Sequence, residues 1–275
     1  MIIDAHTHIG RLPDSVFAKM TYDKILKCLL KEMKTARVAK SMVLADLQTY
    51  PQNAIFSPKT ELLLGLFKNI KNLHAIGTID ILDYKSKEPS YLEDLFKKRK
   101  IFGIKLYPAY KYFYPNDKIC FPVYRLCQKY GLPVILHMGD TLTVPGRPPA
   151  KIKYSHPIHI DDVAADFPDL KIIIAHMGNP WLIDCAEVLY KNENVYADIS
   201  GLVIKDADLN SPYGALMKKR IQELFIYSSP RKLLYGTDWP LASMKTYIKF
   251  TKNLGIPKKD LDYVFYKNAV ELFKL

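Results

Sequence analysis

Several features that define other classes of protein are missing from this chain. Its longest apolar runs, such as Ile172-Ile-Ile-Ala175, are far shorter than the ~20 residues of a membrane-spanning helix. Residues 1–10 lack the basic start and the continuous apolar run of a secretory signal peptide, and the four cysteines form no Cys-x-x-Cys pair. We therefore expect no membrane partner and no secretory leader, and we expect reduced thiols in a cytoplasmic protein.

No glycine-rich phosphate loop, low-complexity segment, internal repeat or flexible linker interrupts the chain. Its 275 residues, 49% of them hydrophobic, are a normal length for one α/β barrel and are enough to bury a large core. These properties predict a single domain spanning residues 1–275.

The charge of the chain is strongly unbalanced, with a formal net charge of +12. Its lysines are spread along the whole chain, whereas nucleic-acid binders concentrate basic residues in a patch with arginines and stacking aromatics. The densest basic runs, Lys97–Lys100 and Lys218–Arg220, fall at expected helix ends, where cations suit the helix dipole. The charge therefore indicates a solvated surface and no nucleic-acid partner, with attraction of an anionic substrate as the alternative.

Short β-branched runs alternate with longer stretches of helical periodicity, such as Ile25, Leu29 and Met33. The eight expected strands are Ile2–Ala5, Ser41–Ala45, His74–Ile79, Phe102–Leu106, Pro133–Leu136, Lys171–Ala175, Asn194–Ile199 and Lys232–Tyr235. Eight strands that alternate with helices predict a single (β/α)8 TIM barrel of the α/β class. The rival fold is an open doubly wound sheet, which the missing phosphate loop disfavours.

Metal-binding residue types follow four of these strands. His6 and His8 stand two residues apart at the end of the first strand, so both side chains point to one face. His137, His176 and Asp238 follow three other apolar runs. Each of them alone could cap a strand or lie in the core as a satisfied histidine. Together they would meet at the carboxyl end of the barrel, where barrel enzymes keep their active sites, and they predict a metal site there.

These residues belong to segments that resemble a known family. The segments are Ile3–His8, Gly103–Pro108, His137–Gly139, Phe167–Gly178, Asn194–Ser200, Gly236–Pro240 and Asn268–Phe273. Over essentially its full length the chain resembles the amidohydrolase superfamily, in the amidohydrolase-related branch that includes aminocarboxymuconate-semialdehyde decarboxylase.

The resemblance implies a role for each residue of the predicted site. His6 and His8 would bind one divalent metal ion, first expected to be zinc, and His137 would be the third protein ligand. Asp238 would be a fourth ligand or a base that touches the bound water, and His176 would stand beside that water as general acid/base or electrostatic partner. Imidazoles with one carboxylate suit such an ion, which lowers the pKa of bound water to about 7.

Lys105, at the end of the fourth strand, has three interpretations. Other branches of the superfamily carry a carbamylated lysine there, which would add a second metal ion. The ammonium could instead bind a substrate carboxylate as a point charge, or it could belong to a structural ion pair at the barrel mouth. We expect one metal ion, with two as the alternative.

Three further residues are candidates for substrate binding. Arg11 lies just beyond the first two histidines, and Arg147 lies in a proline-rich segment after the fifth strand. Tyr107 opens the aromatic stretch Tyr107–Pro115, which could pack over an organic substrate, form a satellite core or contact a second subunit of a homodimer.

Three functions remain open at this point. The first is a metal-dependent hydrolase that attacks a carbonyl-type carbon of a small organic substrate, which the mainly hydrolytic chemistry of the superfamily favours. The second is a non-oxidative decarboxylase of an aromatic or unsaturated acid, for which Arg11, Lys105 or Arg147 inside the pocket would argue. A neutral pocket would instead favour the hydrolase. The third is a binding protein without catalysis, perhaps for nucleic acid, which rests on net charge alone.

Overall fold

The computed structural model of the protein describes residues 1–12, 15–47, 57–83, 88–142, 148–203 and 205–275. Within these ranges eight parallel strands form one sheet whose spatial order follows the sequence. They are β1 (Ile3–Thr7), β2 (Lys40–Leu44), β3 (Leu73–Thr78), β4 (Ile101–Leu106), β5 (Val134–His137), β6 (Ile172–Ala175), β7 (Val195–Asp198) and β8 (Leu233–Leu234). All eight predicted strands are confirmed, because each observed strand overlaps its predicted run.

The sheet closes on itself between β8 and β1. The backbone N–H of Ala5 donates to the carbonyl of Tyr235 at 2.9 Å, and the N–H of His8 donates to the carbonyl of Trp239 at 2.7 Å. These bonds convert an eight-stranded sheet into a barrel. The predicted (β/α)8 fold is confirmed, and the open doubly wound alternative is not observed.

The described ranges contain helices that connect and flank the strands. They are α1 (Tyr22–Ala36), α2 (Thr60–Leu66), α3 (Glu88–Lys97), α4 (Pro108–Lys111), α5 (Phe121–Tyr130), α6 (His159–Asp166), α7 (Leu182–Lys191), α8 (Pro212–Tyr227), α9 (Met244–Lys252), α10 (Lys258–Asp262) and α11 (Asn268–Phe273). None of these helices combines the length and the apolar content that crossing a lipid bilayer would require.

Helix α1 shows how the sequence pattern produces these elements. Ile25, Leu29 and Met33 recur at a spacing of four and are buried together on the face that packs against the barrel. The hydroxyl of Thr21 caps the first turn by accepting the N–H of Lys24 at 3.4 Å. One apolar face and one capping residue therefore account for where the helix begins and which way it faces.

The interior of the barrel is a packed core and not a channel. Apolar side chains from the strands fill its lower part, and the last helix covers its amino-terminal end. The buried cluster comprises Ile3, Ala5, Met42, Leu44, Ile76, Ile135, Ile173, Ala175 and Leu234 from the strand regions with Ala269, Leu272 and Phe273 from α11. This packing leaves the carboxyl end of the barrel free to hold a site.

Truncation of the side chain that closes the bottom of the barrel tests this packing. Phe273 is fully buried, so we expect Phe273→Ala to lower the free energy of unfolding by about 3–5 kcal/mol. Urea denaturation measures the change. Ile226→Ala is the control, because Ile226 is 77% exposed and its loss should change stability by at most about 0.5 kcal/mol. Equal effects of the two substitutions would contradict the proposed packing of Phe273 against the amino-terminal end of the barrel.

Candidate metal centre

Three of the predicted ligands meet at the carboxyl end of the barrel. His6 and His8 lie at the end of β1, and Asp238 lies beyond β8. The Nε2 atoms of His6 and His8 are 3.3 Å apart. Asp238 Oδ1 lies 3.7 Å from His6 Nε2 and 3.3 Å from His8 Nε2. Tetrahedral bonds of about 2.0–2.1 Å separate neighbouring donor atoms by about 3.3 Å. The spacing of these three donors therefore fits a single metal ion.

The remaining ring nitrogens of the two histidines are held by other side chains. His6 Nδ1 lies 2.8 Å from Asp198 Oδ2, and His8 Nδ1 lies 2.9 Å from Ser57 Oγ. When each Nδ1 donates its hydrogen to these oxygens, each Nε2 keeps a lone pair directed at the third donor, Asp238. A hydrogen-bonded outer nitrogen of this kind is the usual support of a metal-binding histidine.

The protonation states of these groups also suit a cation. Burial lowers the pKa of His8 to about 3 and the pKa of His176 to about 4, and it lowers the pKa of His137 well below the ordinary value. Burial acts to raise the pKa of Asp238, but electrostatic interaction with His6 and the other histidines holds that pKa below its ordinary value. Neutral imidazoles and an ionised carboxylate are the forms that bind metal ions.

His176 lies beside this group, directly after β6. Its ring centroid is 4.8 Å from that of His6, and its Nδ1 lies 3.0 Å from the carbonyl oxygen of Ser200. His176 has a φ of 58°, a left-handed conformation that is unusual for a residue with a side chain. Such conformations persist where the surrounding structure enforces them, and they often occur at functional sites.

His137 is brought alongside the group but not into the set of donor atoms. Its ring centroid is 4.8 Å from that of His176, while its Nε2 lies 2.8 Å from the carbonyl oxygen of Asp140. Among the described residues, two groups of possible donors have their ligand atoms within 4.8 Å of one another, and His137 belongs to neither. They are His6, His8 and Asp238, and His6, His176 and Asp198. The role of His137 as the third ligand stays a prediction.

Asp198 and Ser200 contact the site, although the sequence analysis assigned them no role. They lie two residues apart at the carboxyl end of β7, as His6 and His8 do on β1, so both side chains face the barrel interior. That spacing was the signal which could have identified them. The contact from Ser57 to His8 had no such signal, because the two residues are 49 positions apart and Ser57 lies in none of the predicted strands.

A cleft of about 730 Å³, including the open space at its mouth, opens beside His8, His176 and Asp238. Its described lining is mainly aliphatic and aromatic. The lining residues are His8, Gly10, Leu12, Asp46, Leu47, Tyr107, Tyr110, His137, Leu142, His176, Asp238, Pro240 and Leu241. The cleft therefore suits a small organic molecule of largely apolar character.

Two tyrosines form one wall of the cleft, and both are fixed by backbone hydrogen bonds. The hydroxyl of Tyr107 donates to the carbonyl of Ala45 at 2.7 Å, and the hydroxyl of Tyr110 accepts the N–H of Leu142 at 2.8 Å. These bonds hold the two rings in place around His137, which lies 6.1 Å and 5.0 Å from them between ring centroids. Of the three interpretations of the aromatic stretch, contact with a substrate fits the position of Tyr107 and stays a prediction.

The three predicted cationic residues have different positions. Lys105 is fully buried, its Nζ has no hydrogen-bond partner among the described residues, and burial lowers its pKa to about 8 despite the attraction of Asp198 and Asp238. Arg11 donates from Nε to the carbonyl of Met20 at 3.0 Å and is not part of the described lining of the cleft. Arg147 lies outside the described residues.

Removal of one proposed ligand tests whether this is a metal centre. We expect His8→Ala to weaken binding of Zn²⁺ at least about 100-fold, because one of the three converging donors is lost. Isothermal titration of metal-stripped protein with Zn²⁺ measures the affinity. His159→Ala is the control, since the ring of His159 binds the carbonyl of Lys153 at 3.1 Å and no predicted ligand. Unchanged affinity in His8→Ala would show that the ion binds elsewhere or not at all.

Comparison with known proteins agrees with this fold. A family model described as amidohydrolase matches residues 78–275. Comparison with curated protein sequences gives no match.

Among solved structures, an uncharacterized TIM-barrel protein from Bordetella bronchiseptica is similar at a TM-score of 0.73 and 19% identity, covering 99% of this chain and 98% of that one. A probable 2-pyrone-4,6-dicarboxylic acid hydrolase from Acinetobacter baumannii, with citric acid bound, is similar at a TM-score of 0.70 and 16% identity. The match covers 100% of this chain and 99% of that one. A dihydroxybenzoic acid decarboxylase from Polaromonas sp. JS666, with bound manganese and the inhibitor 2-nitroresorcinol, is similar at a TM-score of 0.69 and 16% identity. The match covers 100% of this chain and 97% of that one. At these identities the likeness is one of fold, and one fold hosts both reactions.

Proposed function

Since this chain belongs to the amidohydrolase family, we propose that it is a metal-dependent hydrolase whose activated water attacks a carbonyl-type carbon of a small organic substrate. The observation that carries the proposal is the convergence of His6, His8 and Asp238 at the base of the cleft. Their donor atoms lie 3.3–3.7 Å apart, and the lowered pKa values of His8 and Asp238 favour the neutral imidazole and the ionised carboxylate that metal binding requires.

His6, His8 and Asp238 would hold one divalent ion, with His137 as the third histidine ligand. Such an ion lowers the pKa of a bound water to about 7 and polarises a carbonyl oxygen. Zinc is the first proposal because imidazole and carboxylate ligands suit it. Manganese is the alternative, as in the decarboxylase structure from Polaromonas, and a second ion on a carbamylated Lys105 remains the less favoured arrangement.

The protein's own groups would move the proton. Donation from His176 Nδ1 to the Ser200 carbonyl leaves Nε2 of His176 able to accept the proton that the attacking water loses. The same nitrogen can then pass the proton to the leaving oxygen or nitrogen as the carbonyl–heteroatom bond breaks. Asp238, ionised and beside both first-strand histidines, would hold the metal and touch the water.

The character of the cleft favours hydrolysis over decarboxylation. The described part of its lining includes Leu12, Leu142 and Leu241 as well as two tyrosines. It also includes the carboxylate of Asp46 but no Arg or Lys side chain. A substrate that carries its own carboxylate gains little from such walls. An uncharged ester, lactone or amide with an apolar portion fits them better.

Decarboxylation of an organic acid is the second candidate, and Lys105 is the observation that favours it. This ammonium group is buried at the end of β4 without a hydrogen-bond partner in the described ranges, and a substrate carboxylate would satisfy it. In that reaction His176 Nε2 would first take a proton from solvent and would then deliver it to carbon as the bond to the carboxylate breaks and CO₂ leaves. The proposed homodimer and the cytoplasmic location stay predictions under either reaction.

A substrate panel separates the two reactions. Metal-loaded protein is offered neutral aryl esters, lactones and amides, and separately hydroxylated aromatic acids, while acid release and CO₂ are measured. We expect hydrolysis of a neutral substrate and no CO₂ above background. Release of CO₂ from an aromatic acid without any hydrolysis would reject the hydrolase in favour of the decarboxylase.

Substitution of the proposed proton carrier tests the mechanism on whichever neutral substrate is turned over. We expect His176→Asn to lower kcat by about 10²–10⁴-fold, the usual contribution of general acid–base catalysis, with metal content unchanged. His156→Asn is the control, because that ring packs against Trp181 at 4.7 Å between centroids. Retention of full kcat in His176→Asn would remove this residue from the mechanism.

A further inference from the structure

We propose that Asp198 and Ser200 are positioning residues that form one hydrogen-bonded unit and set the tautomers of His6 and His176 together. Neither is proposed to touch the substrate. The inference rests on the proposed function, because it explains how the metal-binding histidine and the proton-carrying histidine are prepared for their separate tasks.

Asp198 joins the two histidines through its two oxygens. Oδ2 lies 2.8 Å from His6 Nδ1, while Oδ1 accepts the backbone N–H of His176 at 3.0 Å. Both His6 and Asp198 are 1% exposed, so water does not compete for these bonds.

The partners of His6 leave it one tautomer. An ionised carboxylate can only accept hydrogen bonds, so His6 must donate from Nδ1. Its Nε2 is then unprotonated and faces Nε2 of His8 and Oδ1 of Asp238. Asp198 therefore prepares His6 as a metal ligand before any ion arrives.

Ser200 applies the same constraint to His176. The carbonyl oxygen of Ser200 lies 3.0 Å from His176 Nδ1 and can only accept, so His176 also carries its proton on Nδ1. The hydroxyl of Ser200 donates to Asp198 Oδ1, and its oxygen lies 3.0 Å from the Nδ1 atoms of both histidines. The hydroxyl oxygen of Ser200 therefore lies between the Nδ1–H groups of His6 and His176, while the hydroxyl hydrogen is donated to Asp198.

The backbone that follows this unit is shaped to pass close to both functional groups. Gly201 has a φ of 68°, and a Cβ atom there would lie 2.8 Å from His176 Nδ1 and 3.1 Å from Asp238 Oδ2. No larger residue fits that approach without moving one of them. The close packing keeps the Ser200 carbonyl aimed at His176.

A purely structural role for this unit would be to cap the end of β7. The backbone N–H groups of His176 and Ser200 do bind Asp198 Oδ1, at 3.0 Å and 3.1 Å. Those bonds would survive in Asp198→Asn if the amide oxygen takes the place of Oδ1. The amide nitrogen would then face His6 Nδ1 as a donor and force His6 into the opposite tautomer, so this variant separates positioning from capping.

The test reads the tautomers directly in the metal-free protein. Long-range ¹H–¹⁵N NMR spectra of the histidine rings distinguish Nδ1–H from Nε2–H. We expect Nδ1–H at both His6 and His176 in the unmodified chain, and we expect Asp198→Asn to move only His6 to Nε2–H. Because the unmodified chain is read first, an Nε2–H tautomer at either histidine would overturn the proposal even if the variant failed to fold.

Metal affinity supplies the second measurement. We expect Asp198→Asn to weaken Zn²⁺ binding about 10–100-fold, as loss of a partner to a metal-binding histidine does, while the thermal midpoint of the metal-free chain changes little. The matched control is Asp260→Asn, which neutralises another buried carboxylate that binds Arg231 at 2.7 Å. Unchanged affinity in Asp198→Asn, or an equal loss in the control, would contradict the proposal.

Ser200→Ala separates the contribution of the hydroxyl from that of the carbonyl. The variant keeps the carbonyl, so His176 should remain Nδ1–H while the Nδ1 signals of both histidines shift. An unchanged spectrum would show that the hydroxyl joins neither ring. Neither the spectra nor the titrations depend on a substrate, so failure of the substrate panel would reject the proposed hydrolase and leave this inference standing.

Discussion

The closure between β8 and β1 is the constraint on which the rest of the site depends. The backbone N–H of Asp238 donates to the carbonyl of His6 at 2.8 Å, so one of the closing hydrogen bonds joins two proposed metal ligands that are far apart in sequence. Buried Asp4 reinforces the closure by accepting the hydroxyl of Thr237 at 2.7 Å and its N–H at 3.1 Å. A shift of register at this seam would separate the proposed ligands and would also displace the core-facing side chains of the same strands.

Burial then sets the electrostatics of the carboxyl end. It lowers the pKa of His8 and His176, which keeps these two imidazoles neutral. Asp198 and Asp238 stay ionised against the effect of burial because interactions with His6, His176 and Lys105 hold their pKa values below the ordinary range. Such buried carboxylates require positive partners in a medium of low polarity. Lys105 supplies one buried positive charge, and the proposed divalent ion would supply the rest. The metal would thus complete the charge balance of a site already shaped by hydrogen bonds.

Much of this arrangement could be predicted from the sequence because it depends on local pattern. Short apolar runs of β-branched residues define strands wherever one face or both are buried, so every predicted run corresponds to a strand. The position of His6, His8 and Asp238 just beyond such runs then places them at one end of a parallel barrel. The contact of Ser57 with His8, 49 residues away, joins residues that are distant in sequence, so no local pattern predicts it.

By itself the sequence determined the parallel barrel, the end at which chemistry would occur and the residue types that would meet there. Alternation and periodicity are properties of neighbouring residues, and they suffice for those conclusions. Tertiary structure alone decided that Asp198 and Ser200 join His6 to His176, that Lys105 is buried without a hydrogen-bond partner in the described ranges, and that the described lining of the cleft is largely apolar. These properties depend on distances of about 3 Å between side chains from different strands, which only the closed barrel brings within reach.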